Sequence, residues 1–196
     1  MLNAKALSDL LSRNSDERLC KRWWIMTPNG TLLASTRPSD PKDLRKKVAT
    51  YALAWQEYQQ PANLEPNGQP EQEAPSSKHA LHTLIVELES SNFLVQRIQP
   101  DLLLVLEGGV PPRKKTFEPR TTAEGPDGEQ LHSTSRAEST LGTSLLSKAE
   151  SSRSAVSAGS VLGLHRRKLD AMAAAISSDF AQTGFKMPEE SINNYF

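Results

Sequence analysis

The side chains of this 196-residue chain best suited to chemistry are four histidines, one cysteine and a few clustered carboxylates. His79 and His82 lie three apart, a spacing that loosely mimics a pair of metal ligands. On a strand, however, positions i and i+3 point to opposite faces, and no cysteine pair or acidic ligand adjoins them in sequence. His132 falls in a polar stretch that reads as a disordered loop, and His165 on a basic helical turn; both read as solvated. Asp40 and Asp43 are explained by a helix start, where the dipole favours carboxylates, better than by an acid/base pair. Gly108-Gly109 follows a strand, but Val110-Pro111-Pro112 stands where a phosphate loop needs a lysine and a helix start. No serine sits in a nucleophile-elbow sequence. Cys20 reads as a small semi-buried residue before a strand, and a single cysteine excludes an internal disulfide framework. The expectation is a non-enzyme with no catalytic residues, no cofactor and no metal.

The charged clusters point no further. Arg113-Lys114-Lys115-Thr116, beside Pro111-Pro112, fits a kinase site, a proline-motif ligand or a solvated loop. Arg166-Arg167-Lys168, with Arg22 and the Lys42 to Lys47 group, could form a basic patch. It lacks interleaved exposed aromatics, which argues against nucleic acid and for solvated helix faces or an acidic partner. Lys+Arg and Asp+Glu both total 23, for a formal net charge of +0, so no global field draws nucleic acid or an acidic membrane. No apolar run approaches the ~18 residues of a membrane span. The first residues read as lacking a signal-peptide core, and the last as lacking a prenylation cysteine.

What must position any site is a short list of elements. Residues 3 to 13 read as a helix, with Leu7, Leu10 and Leu11 at helical spacing. Trp23 to Met26 and Leu32 to Ser35 read as a hairpin around Asn29-Gly30, residues that tolerate the positive backbone angles of tight turns. A second helix starts near Ser39 or Asp40, has Pro41 at its first position and runs to about Gln59. Leu44, Val48, Tyr51, Trp55 and Tyr58 make a single stripe on it, widened by Ala49, Ala52 and Leu53. Strands follow at His79 to Leu88, Phe93 to Ile98 and Leu102 to Leu106; the last has no polar face and reads as buried on both sides. A final helix spans roughly Ala158 to Gln182. Hydrophobic residues are 37% of the chain and prolines number 13, so part of it reads as unfolded. Residues 60–78 and 107–157, polar and without periodicity, are the expected flexible insertions, and 184–196 a frayed tail. The domain is thus 1–183, an α+β fold with an antiparallel sheet.

Two features favour association. The strand His79 to Leu88 contains no proline, glycine or internal lysine, and natural sheet edges usually carry such blockers. The Tyr51, Trp55 and Tyr58 side of the middle helix concentrates the aromatics that anchor interfaces. The alternative is that both are internal to one core. The expected partner interface is Leu44, Val48, Tyr51, Ala52, Trp55, Tyr58, Leu81, Thr83, Ile85 and Glu87.

Met1-Leu2-Asn3-Ala4-Lys5-Ala6-Leu7 with Leu10-Leu11-Ser12, then Asn29-Gly30-Thr31-Leu32-Leu33-Ala34, resembles the roadblock/LAMTOR family. Val95-Gln96-Arg97-Ile98 and Asp101-Leu102-Leu103-Leu104 are similar to its fourth and fifth strands, and Leu162 to Phe180 matches its closing helix loosely. The resemblance covers about two thirds of the chain. It implies a profilin-like α/β/α sandwich: a five-stranded antiparallel sheet, the middle helix on one face and the first and last helices on the other. It also implies dimerisation with a second roadblock-type subunit through the third strand and the middle helix. A lipid-anchored scaffold subunit would hold the pair on the late-endosomal, lysosomal or vacuolar membrane. There it would dock Rag-type GTPases and support amino-acid-dependent TOR signalling. Rival readings are a roadblock homodimer, serving as a dynein light chain or a regulator of another small GTPase, and a small hydrolase or transferase using His82 or His165 with a serine.

Overall fold

The computed structural model describes residues 3–36, 40–59, 81–111, 117–135 and 161–187, with the backbone alone at 132–135. Helix α1 (Ala4–Arg13) begins where the Asn3 side chain accepts from the Ala6 N–H at 3.0 Å. Strands β1 (Cys20–Met26) and β2 (Leu32–Ser35) form the first hairpin, and Gly30 in its turn has φ 86°. Helix α2 (Pro41–Gln59) starts at Asp40, whose carboxylate accepts from the Lys42 N–H at 2.9 Å. Strands β3 (Thr83–Glu87), β4 (Ser91–Gln99) and β5 (Leu102–Gly109) follow. Strands β6 (Arg120–Glu124) and β7 (Gln130–Ser135) precede α3 (Val161–Thr183).

All strand pairs are antiparallel and form one seven-stranded sheet in the order β2-β1-β5-β4-β3-β6-β7. Side chains alternate between faces, so each strand feeds two cores. Trp23, Ile25, Leu94, Leu104 and Leu106 pack with Leu7 and Leu11 of α1 and with Leu169, Met172, Ile176 and Phe180 of α3. Trp24, Met26, Leu84, Phe93, Val95, Leu103 and Val105 pack with Val48, Tyr51 and Trp55 of α2. All eight residues of β5 are buried, because β1 and β4 flank it and helices cover both faces.

Several expectations need correction. The sheet has seven strands rather than five. The stretch expected to be disordered from residue 107 carries the end of β5 and the whole β6–β7 hairpin. That hairpin turns through Pro126-Asp127-Gly128, with Gly128 at φ 73°. Its low apolar content misled because, among the described side chains, Ala123 alone is fully buried in a core and Leu131 packs half-buried against it. Residues 60–78, 112–116 and 136–157 of the expected insertions lie outside the described residues, as do Ser39, His79 and 188–196. The third strand is Thr83–Glu87, so His82 precedes it. His132 lies in β7, not in a loop. The tail does not fray at once: Gly184 (φ 65°) lets the Phe185 N–H reach the Phe180 carbonyl at 2.9 Å, and the Met187 N–H binds Gln99 Oε1 at 2.9 Å.

Candidate association surface

The residues expected at a partner interface are gathered largely inside the chain. Val48, Tyr51, Ala52 and Trp55 are buried under α2, and Leu44 and Tyr58 pack half-buried beside them. The aromatic stripe meets the sheet: Tyr51 stacks on Phe93 with centroids 4.4 Å apart, and Trp24 lies 6.3 Å from Tyr51. Burial, with the Glu107 charge second, raises the Tyr51 hydroxyl's pKa far above its usual value. Leu81 joins the α2-side core, Ile85 the opposite one, and Thr83 is fully buried. Glu87 is half-buried at the far end of β3.

The third strand's edge is also taken. β6 pairs along all of β3, from Thr83↔Glu124 to Glu87↔Arg120, with Leu84↔Ala123 in the middle. One face of this pairing is secured by Ala123, fully buried against the α2-side core. The other is secured by charge. Arg166 of α3 reaches Glu124 at 2.5 Å and Asp170 at 3.3 Å, and Gln96 donates to the same Asp170 carboxylate at 3.2 Å. His82 sits at this junction, donating its backbone N–H to the Glu124 carbonyl at 2.8 Å. Its imidazole pKa is lowered by burial first, then by the Arg166 and Arg97 charges, against the opposing pull of Asp170 and Glu124. Arg166 thus has a definite task, tying α3 to the hairpin.

The other expected basic group also divides into ion pairs. Glu107 is 8% exposed and receives both hydrogen bonds of Lys47, at 2.9 and 3.0 Å, with Arg22 Nε at 3.6 Å. Asp43 bridges Arg22 at 3.1 Å and Lys47 at 3.2 Å, and those two hydrogen bonds hold its pKa below the usual carboxylate value. The pairs clamp the first turns of α2 onto β1 and β5. Outward on α2 remain Lys42, Arg45, Lys46, Ala49 and Leu53, the last 67% exposed.

His165 is not solvated. It is fully buried, with Nε2 2.9 Å from the Leu19 carbonyl and Nδ1 3.3 Å from the Asn92 amide nitrogen. Because the Leu19 carbonyl can only accept, Nε2 carries the proton of that hydrogen bond. The ring lies so close to Gly108 that a Cβ there would come within 2.3 Å of it. Gly108-Gly109 therefore serves close packing, not phosphate binding. The sequence did carry a signal for the position of His165: 165, 169, 172, 176 and 180 follow helical spacing along the buried side of α3.

Arg97, on the α2 side of β4, lies with its guanidinium 5.4 Å from the Trp55 ring centroid. Burial lowers its pKa, against the Asp101 charge, and among the described residues its Nε and Nη2 have no hydrogen-bond partner. The aromatic face offsets part of that desolvation. No helix among the described residues is long and apolar enough to cross a membrane, and they hold no cluster of three potential metal ligands.

No protein-family model matches the chain, and no curated protein does. Among solved structures, it is similar to a Roadblock/LC7 domain from Streptomyces avermitilis at 13% identity. That overlap covers 53% of this chain and 76% of that one, with a TM-score of 0.39. It is also similar to MglB in a tetrameric arrangement at 14% identity, covering 56% of this chain and 75% of that one, with a TM-score of 0.40.

Proposed function

We propose that this chain is a non-enzymatic scaffold of roadblock type, most like the second subunit of a Ragulator-like complex. The observation that carries the reading is the layering of its core. Strands β1 to β5 form an antiparallel sheet with α2 on one face and α1 with α3 on the other, as the resemblance in Met1 to Leu7 and Asn29 to Ala34 implies. The employment of the polar residues supports it: Glu107, Lys47, Arg22, Arg166 and His165 each bind one element to another.

In this reading the chain pairs with a second roadblock-type subunit, is held at a late-endosomal, lysosomal or vacuolar membrane by a lipid-anchored scaffold subunit, and helps dock Rag-type GTPases. Nucleotide exchange and TOR signalling are then supported by positioning, with no hydrolytic residue donated. Because the aromatic stripe of α2 faces its own sheet, the helix surface left for the partner is the outward one around Ala49 and Leu53. A permanent interface of this type buries about 2,000 Å² or more.

The test is purification of the tagged chain from its own cells, with partners identified by mass spectrometry. Stoichiometric recovery of a second roadblock-type chain together with a Rag-type GTPase supports the proposal. A stoichiometric homodimer carrying neither would overturn it in favour of the homodimer reading.

A further inference from the structure

The β6–β7 hairpin differs from the rest of the sheet in how it is held. Each of β1 to β5 contributes apolar side chains to at least one helix-covered core, whereas β6 contributes Ala123 alone. Thr121 and Thr122 are half-buried and Arg120 is exposed. Beyond the backbone ladder to β3, the hairpin's described attachments are therefore Ala123, the half-buried Leu131 and the Glu124–Arg166 ion pair. The hairpin also lies far from its neighbours along the chain. Ten residues separate the end of β5 from β6, and 25 separate β7 from α3 (110–119 and 136–160). No short connection forces it to stay while β5 and α3 keep their places. The strand beneath it, Thr83-Leu84-Ile85-Val86-Glu87, carries no proline, glycine or lysine, and so has none of the devices that protect a natural edge.

From these features we infer that the edge of β3 is an exchangeable strand-binding site. The β6–β7 hairpin closes it within the chain, and an extended segment of a partner protein replaces the hairpin. The occupant's chemistry is specified by what β6 offers. It runs antiparallel to β3 and places a small residue opposite Leu84, where Ala123 fits beneath α2 with no exposed surface. The next residue is a carboxylate that meets Arg166. The residues before the small one are β-branched, suited to a half-covered pleat. Main-chain hydrogen bonds supply affinity, and the small-residue and carboxylate positions supply selectivity. The fraction of molecules with the hairpin released scales the apparent affinity, so cis closure lowers partner binding without altering the site itself. This inference rests on the sheet edge alone and not on the roadblock reading.

The test uses the full chain and a fluorescent peptide of its own residues 117–135 as the probe. In one variant, Val86→Cys and Thr121→Cys link the paired positions Val86 and Thr121 across β3 and β6. Oxidation locks the hairpin, and reduction of the same sample frees it. The buried Cys20 is 1% exposed and stays apart. In a second variant, Glu124→Ala removes the ion pair in cis while leaving Arg166 for the peptide's own Glu124. Fluorescence anisotropy should show saturable binding to the reduced form and none to the oxidised one. Glu124→Ala should bind the peptide about tenfold more tightly than the natural chain. Equal binding by oxidised and reduced forms, or no gain for Glu124→Ala, overturns the inference. If the cysteine pair does not form, the Glu124→Ala comparison decides alone.

Discussion

Strands β5 and β6 belong to one sheet and use the same antiparallel ladder, yet they are held by different physics. Every side chain of β5 is buried, since helices cover both its faces and β1 and β4 flank it. Its Leu102-Leu103-Leu104-Val105-Leu106 run removes apolar surface in both directions at once. Among the described residues, β6 has one fully buried side chain and one ion pair besides its backbone ladder to β3. A net backbone hydrogen bond contributes only about 1 kcal/mol, because the open strand bonds water instead. The ladder therefore sets where a strand sits, while the covered faces set how firmly. That contrast separates a core from a closure.

The largest losses of stability are expected from substitutions in β5. Gly109→Ala would bring a Cβ within 2.0 Å of the Arg18 carbonyl oxygen, a backbone atom that cannot swing aside. Leu104→Ala would hollow the α1/α3 core. Each should cost on the order of 3 kcal/mol and lower the whole chain's midpoint in urea denaturation. Next comes Gly108→Ala, whose Cβ meets the His165 ring. It should cost about 2 kcal/mol, and pairing it with His165→Ala should return part of that loss. From the β6 side, Arg166→Met should lower global stability by only about 1 kcal/mol, while amide exchange accelerates in β6 and β7 and not in β5.

A smaller effect comes with pH. His82 titrates below its usual value near 6.5 because burial and the Arg166 and Arg97 charges oppose protonation. The unfolded chain therefore binds more protons than the folded one below that pH. The stabilisation is complete above 6.5 and is lost as pH falls below it. His82→Asn should flatten this dependence in urea titrations between pH 5 and 7, and an unchanged slope would refute it. The smallest change in stability belongs to Leu53→Asp, within about 0.5 kcal/mol for so exposed a site. It should nevertheless weaken co-purification with a partner that packs on the outward side of α2.

The contrast also explains what the sequence disclosed. Strands β1 to β5 and the three helices were legible because burial selects apolar residues: Leu44 to Tyr58 carries a helical period, while Trp23 to Met26 and Leu102 to Leu106 are unbroken apolar runs that feed both cores. The β6–β7 hairpin escaped because a strand that buries only Ala123 writes almost no period. Its remaining signals were Thr121-Thr122 and the Asp127-Gly128 turn, and a long polar context outweighed them. The aromatic stripe of α2 was legible as apolar, but not which surface it meets. The buried Glu107 gave no warning either, since Lys47 and Arg22 lie 60 or more residues away in the chain and only the fold brings them together.

Native-state amide exchange on the intact chain, followed through increasing sub-denaturing urea, tests the separability of closure and core most directly. The amides pairing β6 with β3 should open together, at a free energy several kcal/mol below that of the β5 amides. Their opening should have a small urea dependence, since little surface is uncovered. If the β6 and β5 amides instead share one free energy and one urea dependence, the hairpin is an integral part of the core and not a separable closure.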